Sequence, residues 1–285
     1  MENIPLHDKK AYIGCEKPRM ECYVQRPSPE LTKEPRPAVI IFPGGGYEFT
    51  SDREAEPIAN LFLSGGFSAF VVRYTVAPDC HEINPLIDAA QAVVHVRKNA
   101  AKYGVDPAKT AVCGFSAGGH LAAYISTCWN DEKVYNALDI SGRDARPDAS
   151  VLCYPVISAF NNPHEGSIKN LLSDAEPSDE AKKRVSLEYR VTESTPPAFI
   201  WTTANDDAVP ASNSLDYAAA LSENKVPYEL HIFPNGPHGI ALATRETAPD
   251  WQGYKENYIS PYIARWGRWA VRWLDSTFNA PDYRT

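Results

Sequence analysis

The regular alternation of strand-like and helix-like segments limits what this chain can become more than any other feature. Short runs rich in β-branched and aromatic residues recur at 38–42, 68–74, 110–113, 151–154, 198–202 and 228–233. Segments of helical period separate them, at about 55–64, 85–103, 117–127 and 211–224. Strands of this kind are buried on both faces, and strands joined through helices pair in parallel. The pattern predicts an α/β fold, a mainly parallel central sheet with helices on both faces.

Two helices carry boundary signals. Asn84 before Pro85 predicts an N-cap followed by a pre-set first turn, with Ala89, Val93, Val96 and Ala100 along one face. Ser260 and Pro261 repeat the device, and Tyr262, Trp266, Trp269 and Trp273 then form an aromatic stripe. Such a stripe predicts core packing rather than sugar stacking, in a closing helix docked on the sheet. About 40 residues separate the strands at 151–154 and 198–202, more than one crossover helix needs. Residues 156–195 therefore read as a lid-like insertion within one domain spanning 1–285.

Composition narrows the partners. The 285 residues carry 28 Lys and Arg against 36 Asp and Glu, a net charge of -8 that repels a phosphate backbone. Nucleic acid is not an expected partner, and no apolar run approaches the ~20 residues of a membrane helix. The opening residues MENIPLHDKK lack the apolar stretch of a signal peptide, so the expected location is the cytoplasm. The six cysteines form no C-x-x-C pair and read as thiols, most of them buried.

The chemistry centres on residues 114–119, GFSAGG, a G-x-S-x-G pattern placed between a predicted strand and a predicted helix. A reversal this tight strains the backbone at Ser116 and requires glycine on either side. It lifts the Ser116 hydroxyl clear of the sheet at a helix amino end, where developing negative charge is favoured. A serine nucleophile needs a base. His95 and His120 fall within helices, His231 within a strand, and His7 and His81 in loops with no supporting motif. His238 follows Pro234, Asn235, Gly236 and Pro237 just beyond the last strand, where an imidazole reaches the sheet's carboxyl edge.

The third member should be a carboxylate leaving the preceding strand, and Asp206 and Asp207 both qualify. One of them orients the imidazole, and the other is free to cap the helix near Ala211. Donors for the oxyanion are the amide of Ala117 and those of Gly45 and Gly46, in a glycine run directly after the first strand. That run lacks the G-K-[ST] ending of a nucleotide loop. Tyr47, which ends the run, is a candidate substrate contact.

With these residues placed, residues 37–274 resemble the α/β-hydrolase superfamily, in its acetyl-esterase and acetyl-xylan-esterase-like branch related to hormone-sensitive lipase. The family's H-G-G-G-[FWY] is matched by residues 43–47, its Y-R-L-A-P by 74–78 and its G-[DF]-S-A-G-G by 114–119. Its D-x-x-V-P loop is matched by 206–210, which favours Asp206 over Asp207, and its G-x-H-G by 236–239. Pro43 stands where the family has His, which resembles the loop of the bacterial acetyl-esterase relatives rather than of long-chain lipases, and Thr75 stands where the family has Arg, with Arg73 two positions earlier. The resemblance implies a serine carboxylesterase acting on short, acetyl-type esters of a carbohydrate such as acetylated xylo-oligosaccharide. It implies no metal and no cofactor. A formamidase or peptidase using the same triad, or a non-catalytic binding protein on the same fold, are the competing expectations. A homo-oligomer is compatible with the sequence.

Overall fold

The computed structural model describes residues 2–5, 18–26, 28–250 and 255–279. In chain order the elements begin with β1 (Glu2–Pro5), β2 (Arg19–Tyr23), β3 (Arg36–Phe42), α1 (Glu56–Ser64) and β4 (Ser68–Arg73). Next come α2 (Asn84–Lys98), α3 (Ala100–Tyr103), β5 (Val105–Phe115), α4 (Ala117–Cys128), α5 (Glu132–Leu138) and β6 (Ala149–Cys153). The rest comprises α6 (Glu165–Leu172), α7 (Asp179–Val185), β7 (Ala198–Thr203), α8 (Ser212–Glu223), β8 (Tyr228–Phe233) and α9 (Arg265–Asn279).

Among the described residues, eight strands join one sheet in the order β1-β2-β4-β3-β5-β6-β7-β8. β4, β3 and β5 to β8 run parallel, while β1 and β2 extend one edge as antiparallel strands. This is the α/β-hydrolase fold. Alternation along β3 shows how the sheet is covered. Ala38, Ile40 and Phe42 enter a core shared with Leu86 of α2, Leu121 of α4 and Tyr217 of α8. Val39 and Ile41 point the other way, into a core with Phe62 of α1 and Trp266 and Leu274 of α9. A strand with an apolar layer on each side has no polar positions to spare, which is why residues 38–42 are all hydrophobic.

The aromatic stripe of α9 does pack on the sheet. Trp266 is fully buried and stacks on Trp201 of β7, with ring centroids 5.1 Å apart. Trp269 stacks on Phe233 at 5.9 Å, and Trp273 lies against Phe199. Tyr262 sits ahead of the helix and is 52% exposed, yet its ring packs edge-on against Phe233 at 5.6 Å, so all four aromatics reach the sheet while only the three tryptophans lie on the helix. Ser260 Oγ accepts from the Ile263 amide in the turn that leads into α9.

Asn84 does not cap α2. It is the first helical residue, and its side chain donates to the Asp79 carbonyl at 3.1 Å, tying back the preceding turn. The predicted helix 85–103 divides at Asn99 into α2 and α3, and Gly104 then ends it at φ +61°. Cys22, Cys80, Cys113, Cys128 and Cys153 are buried thiols; Cys15 and His7 lie outside the described residues.

His120, in α4, is wholly buried, with Nδ1 bonded to the Tyr47 hydroxyl and Nε2 to the Val185 carbonyl, each at 2.8 Å. Facing a carbonyl, Nε2 must carry the proton and donate, so Nδ1 accepts from Tyr47. Burial lowers its pKa to about 4. Between the unfolded value near 6.5 and this folded value, the unfolded chain binds a proton that the folded chain refuses, so stability falls as pH drops through that window. Acidification from pH 7 to pH 5 should cost about 2 kcal/mol through this residue, several degrees of Tm. The loss should shrink in His120→Gln; an unchanged loss in that variant would remove His120 as its cause.

Candidate active site

Strand order decides where a site can form. The chain passes from β3 out to β4 and returns across β3 to β5, so the winding reverses between β3 and β5. At such a reversal the loops leaving two neighbouring strands turn to opposite faces and open a crevice beyond their carboxyl ends. Phe42 pairs with Gly114, so the glycine loop after β3 and the turn after β5 stand side by side.

The turn after β5 has the geometry that the sequence pattern demands. Ser116 sits at φ +54°, ψ −119°, a conformation that non-glycine residues rarely adopt. Its amide donates to the Cys153 carbonyl, and its own carbonyl accepts from the amides of His120 and Val156, which hold the strained residue in place. A Cβ at Gly114 would lie 2.0 Å from the Gly118 carbonyl oxygen, and one at Gly118 would lie 2.0 Å from that of Phe42. Strand and helix touch backbone to backbone here, which only glycine permits.

Ser116 Oγ lies 2.8 Å from His238 Nε2, and His238 Nδ1 lies 2.8 Å from Asp206 Oδ2. With Nδ1–H donating to the carboxylate, Nε2 is left as an acceptor facing the serine hydroxyl. Asp206 is buried, and its other oxygen accepts from the amides of Ala208 and Val209, so the carboxylate cannot swing away. Asp207 is exposed and does not cap α8, whose cap position, Ala211, makes no side-chain bond. The three residues leave β5, β7 and β8 at the same end of one sheet.

Beside Ser116 the backbone at Gly44 passes so close that a Cβ there would lie 3.0 Å from Ser116 Cβ. Gly45 and Gly46 follow at φ +130° and +66°, and a Cβ at Gly45 would lie 2.2 Å from the Phe49 carbonyl oxygen. Ala117 opens α4, so its amide belongs to the first turn, whose N–H groups have no partner within a helix. Ala117 thus adjoins the candidate nucleophile, and Gly45 and Gly46 follow the glycine that approaches it.

Tyr47 is not a substrate contact. Its side chain is fully buried, its hydroxyl is bonded to His120, and its ring packs edge-on against Tyr74 and His120. A positive φ of 57° turns it inward, so it anchors the glycine loop from below. Arg73 likewise acts on structure: it reaches Asp52 at 2.8 Å, Glu21 at 3.3 Å and the Thr50 carbonyl at 3.2 Å, bracing the return of that loop.

Several residues around the crevice carry no sequence motif. Glu54 Oε2 accepts from the Gly44 amide and Oε1 from the Tyr154 hydroxyl. Tyr154 packs its ring edge-on to His238, with centroids 5.1 Å apart. Burial first, then the charge of Glu54, holds the Tyr154 hydroxyl well above the usual phenol range, so it stays protonated and donates. From the inserted segment, Asn170 donates to the Gly46 carbonyl at 2.9 Å, and Ser167 Oγ lies 3.9 Å from where a Gly46 Cβ would be. His164 caps α6 by accepting from the Ser167 amide at Nδ1. Burial pushes its pKa down, which favours a neutral imidazole beside the crevice. Only the unusual length of this segment hinted at such a role. Among the described residues no group of three His, Cys, Asp or Glu side chains could hold a metal ion.

The family model BD-FAE matches residues 26–221. The chain belongs to the BD-FAE family. Endo-1,4-beta-xylanase B of Butyrivibrio fibrisolvens is 40% identical over 224 residues, 76% of this BD-FAE chain and 34% of the relative. The acetylxylan esterase of Xylanibacter ruminicola is 32% identical over 212 residues, 73% of the chain and 42% of the relative. The chain therefore spans well under half the length of these two curated relatives. Among solved structures, the acetyl ester-xyloside bifunctional hydrolase of Caldicellulosiruptor lactoaceticus superposes with a TM-score of 0.81 at 37% identity, covering 96% of both chains. No helix among the described residues is long and apolar enough to cross a membrane.

Proposed function

We propose that this BD-FAE chain is a serine ester hydrolase that removes acetyl groups from a carbohydrate, of the acetylated xylo-oligosaccharide kind. The observation that carries the reading is the unbroken relay of two 2.8 Å contacts from buried Asp206 through His238 to Ser116. The names of the relatives support the acyl group and the carbohydrate. In the proposed reaction His238 Nε2 takes the Ser116 proton as Oγ attacks the ester carbonyl. The amides of Gly45, Gly46 and Ala117 receive the oxyanion, and Asp206 stabilises the imidazolium. His238 then protonates the departing alcohol, leaving an acetyl-Ser116 ester. Water, deprotonated by His238, attacks that ester, and His238 returns the proton to Ser116 Oγ as acetate departs.

We read residues 156–195 as the wall of the alcohol side, supported by the bond from Asn170 to the Gly46 carbonyl and by the position of Ser167 near the same glycine. The chain is read as one α/β-hydrolase domain acting in the cytoplasm, in keeping with its buried thiols. A hydrolysis panel tests the substrate. Acetyl aryl ester and acetylated xylo-oligosaccharide should be turned over faster than butyryl ester, and both far faster than octanoyl ester. Preference for octanoyl ester would contradict the acetyl reading, and turnover confined to N-formylkynurenine would make the protein a formamidase.

A further inference from the structure

Glu54 is only 3% exposed, in the single turn Asp52–Glu54 just after the glycine loop. A carboxylate in such a place is costly, and a well-packed apolar side chain would serve stability as well or better. What Glu54 has that an apolar residue lacks is two acceptor oxygens, and each is bound to a different part of the crevice. Oε2 accepts from the Gly44 amide at 2.8 Å, on the loop that carries Gly45 and Gly46. Oε1 accepts from the Tyr154 hydroxyl at 2.7 Å, beyond the end of β6.

The chain of contacts continues. The Tyr154 hydroxyl accepts from the Ala241 amide at 3.0 Å, three residues past His238. Ala241 is held from its other side by Trp266, whose indole donates to its carbonyl at 2.9 Å. The neighbouring Arg53 donates to the carbonyls of Gly239 and Thr247 at 2.9 and 3.1 Å, gripping the same loop directly after the histidine. Loops from β3 and β8, separated in the sheet by β5, β6 and β7, are thereby bound together through one turn.

We infer that Glu54 and Tyr154 are positioning residues that fix the oxyanion loop and the His238 loop in a single register. The inference rests on the reading of Ser116 as nucleophile and of Gly45 and Gly46 as oxyanion donors. Neither residue touches the ester. They set the distance between the group that moves the proton and the amides that receive the negative charge, both needed in the same transition state. Displacement of such a constellation by about 1 Å can cost on the order of 100-fold.

The test is a double-variant cycle of Glu54→Gln and Tyr154→Phe on acetyl aryl ester, with Ser116→Ala as the reference for the triad. Each single variant should lose about 10- to 100-fold in kcat with KM within about threefold, because the contacts matter to the transition state rather than to substrate binding. The double variant should be no worse than the more damaged single one, since both cut the same link. Phenylalanine keeps the ring against His238, so a loss in Tyr154→Phe isolates the hydroxyl. Near-normal kcat in the singles, losses that multiply in the double, or a rise in KM alone would overturn the inference. Should Glu54→Gln fail to fold, Tyr154→Phe decides by its kcat and KM alone. Turnover surviving in Ser116→Ala would instead overturn the triad reading, whatever the cycle shows.

Discussion

Ser116→Ala should lower kcat on acetyl aryl ester by at least ~3 orders of magnitude while leaving KM within a few-fold. The reason is the division of labour around the crevice. Gly45, Gly46 and Ala117 belong to the backbone, and their amides are untouched by the substitution. What disappears is the one atom placed 2.8 Å from His238 Nε2, and with it the covalent route. The residual rate should be that of water attacking an ester held in an intact oxyanion site. His238→Ala should cost a similar amount, and Ser116→Ala with His238→Ala little more than either, because the pair acts as a unit. The fold should survive, since alanine meets the same strain at φ +54° and the bonds of the Ser116 amide and carbonyl do not involve the side chain. Turnover and the thermal melt, measured on the same preparation, separate loss of chemistry from loss of structure.

Gly118→Ala should do the reverse and abolish activity by breaking the fold around an intact Ser116. Its Cβ would stand 2.0 Å from the Phe42 carbonyl oxygen and 2.4 Å from that of Pro43. Both obstacles are backbone, at the end of a central strand and the start of the glycine loop, so neither can rotate aside. Forcing β3 and α4 apart there should cost more than about 4 kcal/mol, the range in which single substitutions threaten folding. We expect Tm to fall by more than about 10 °C, or no folded protein to be recovered. Gly166→Ala is the contrasting case. Its Cβ would meet only His164 Cε1, at an ordinary 3.6 Å, within a helix where alanine is preferred, so stability should hold or rise slightly. Equal melting of wild type and Gly118→Ala would show that the elbow is looser than its backbone contacts require.

The parts of this molecule legible in the sequence are those in which one local rule suffices. Five of the six parallel strands are buried on both faces, and their apolar runs announce them; β8, at the sheet's edge, is half-exposed and is marked instead by its β-branched and aromatic residues. β1 and β2 have no such mark, because they are short antiparallel strands at the edge, and β2 carries Arg19 and Glu21 among its five residues. Ser116 and His238 stand out because each sits in a glycine-marked turn after a strand. Asp206 and Asp207 are adjacent and chemically equivalent on paper. The fold separates them by turning Asp206 inward onto two amides and His238 while leaving Asp207 in solvent. Tyr47 misleads for a related reason: an aromatic beside a glycine loop suggests a substrate wall, but its backbone conformation sends the ring into the core. Glu54 was beyond sequence reasoning altogether, since its partners Gly44 and Tyr154 lie 10 and 100 positions away. It becomes meaningful only when the exits of β3, β6 and β8 are brought to one end of the sheet.

The central claim is that Ser116 is a nucleophile activated by His238, and it can be read directly by covalent labelling. An organophosphorus probe directed at activated serines, followed by intact mass and peptide mapping, should add one adduct per chain on the peptide carrying Ser116. Ser116→Ala should remain unmodified, and His238→Ala should label far more slowly. An unlabelled wild-type protein, or an adduct that persists in Ser116→Ala, would contradict the account and leave a hydrolase-fold protein without this chemistry.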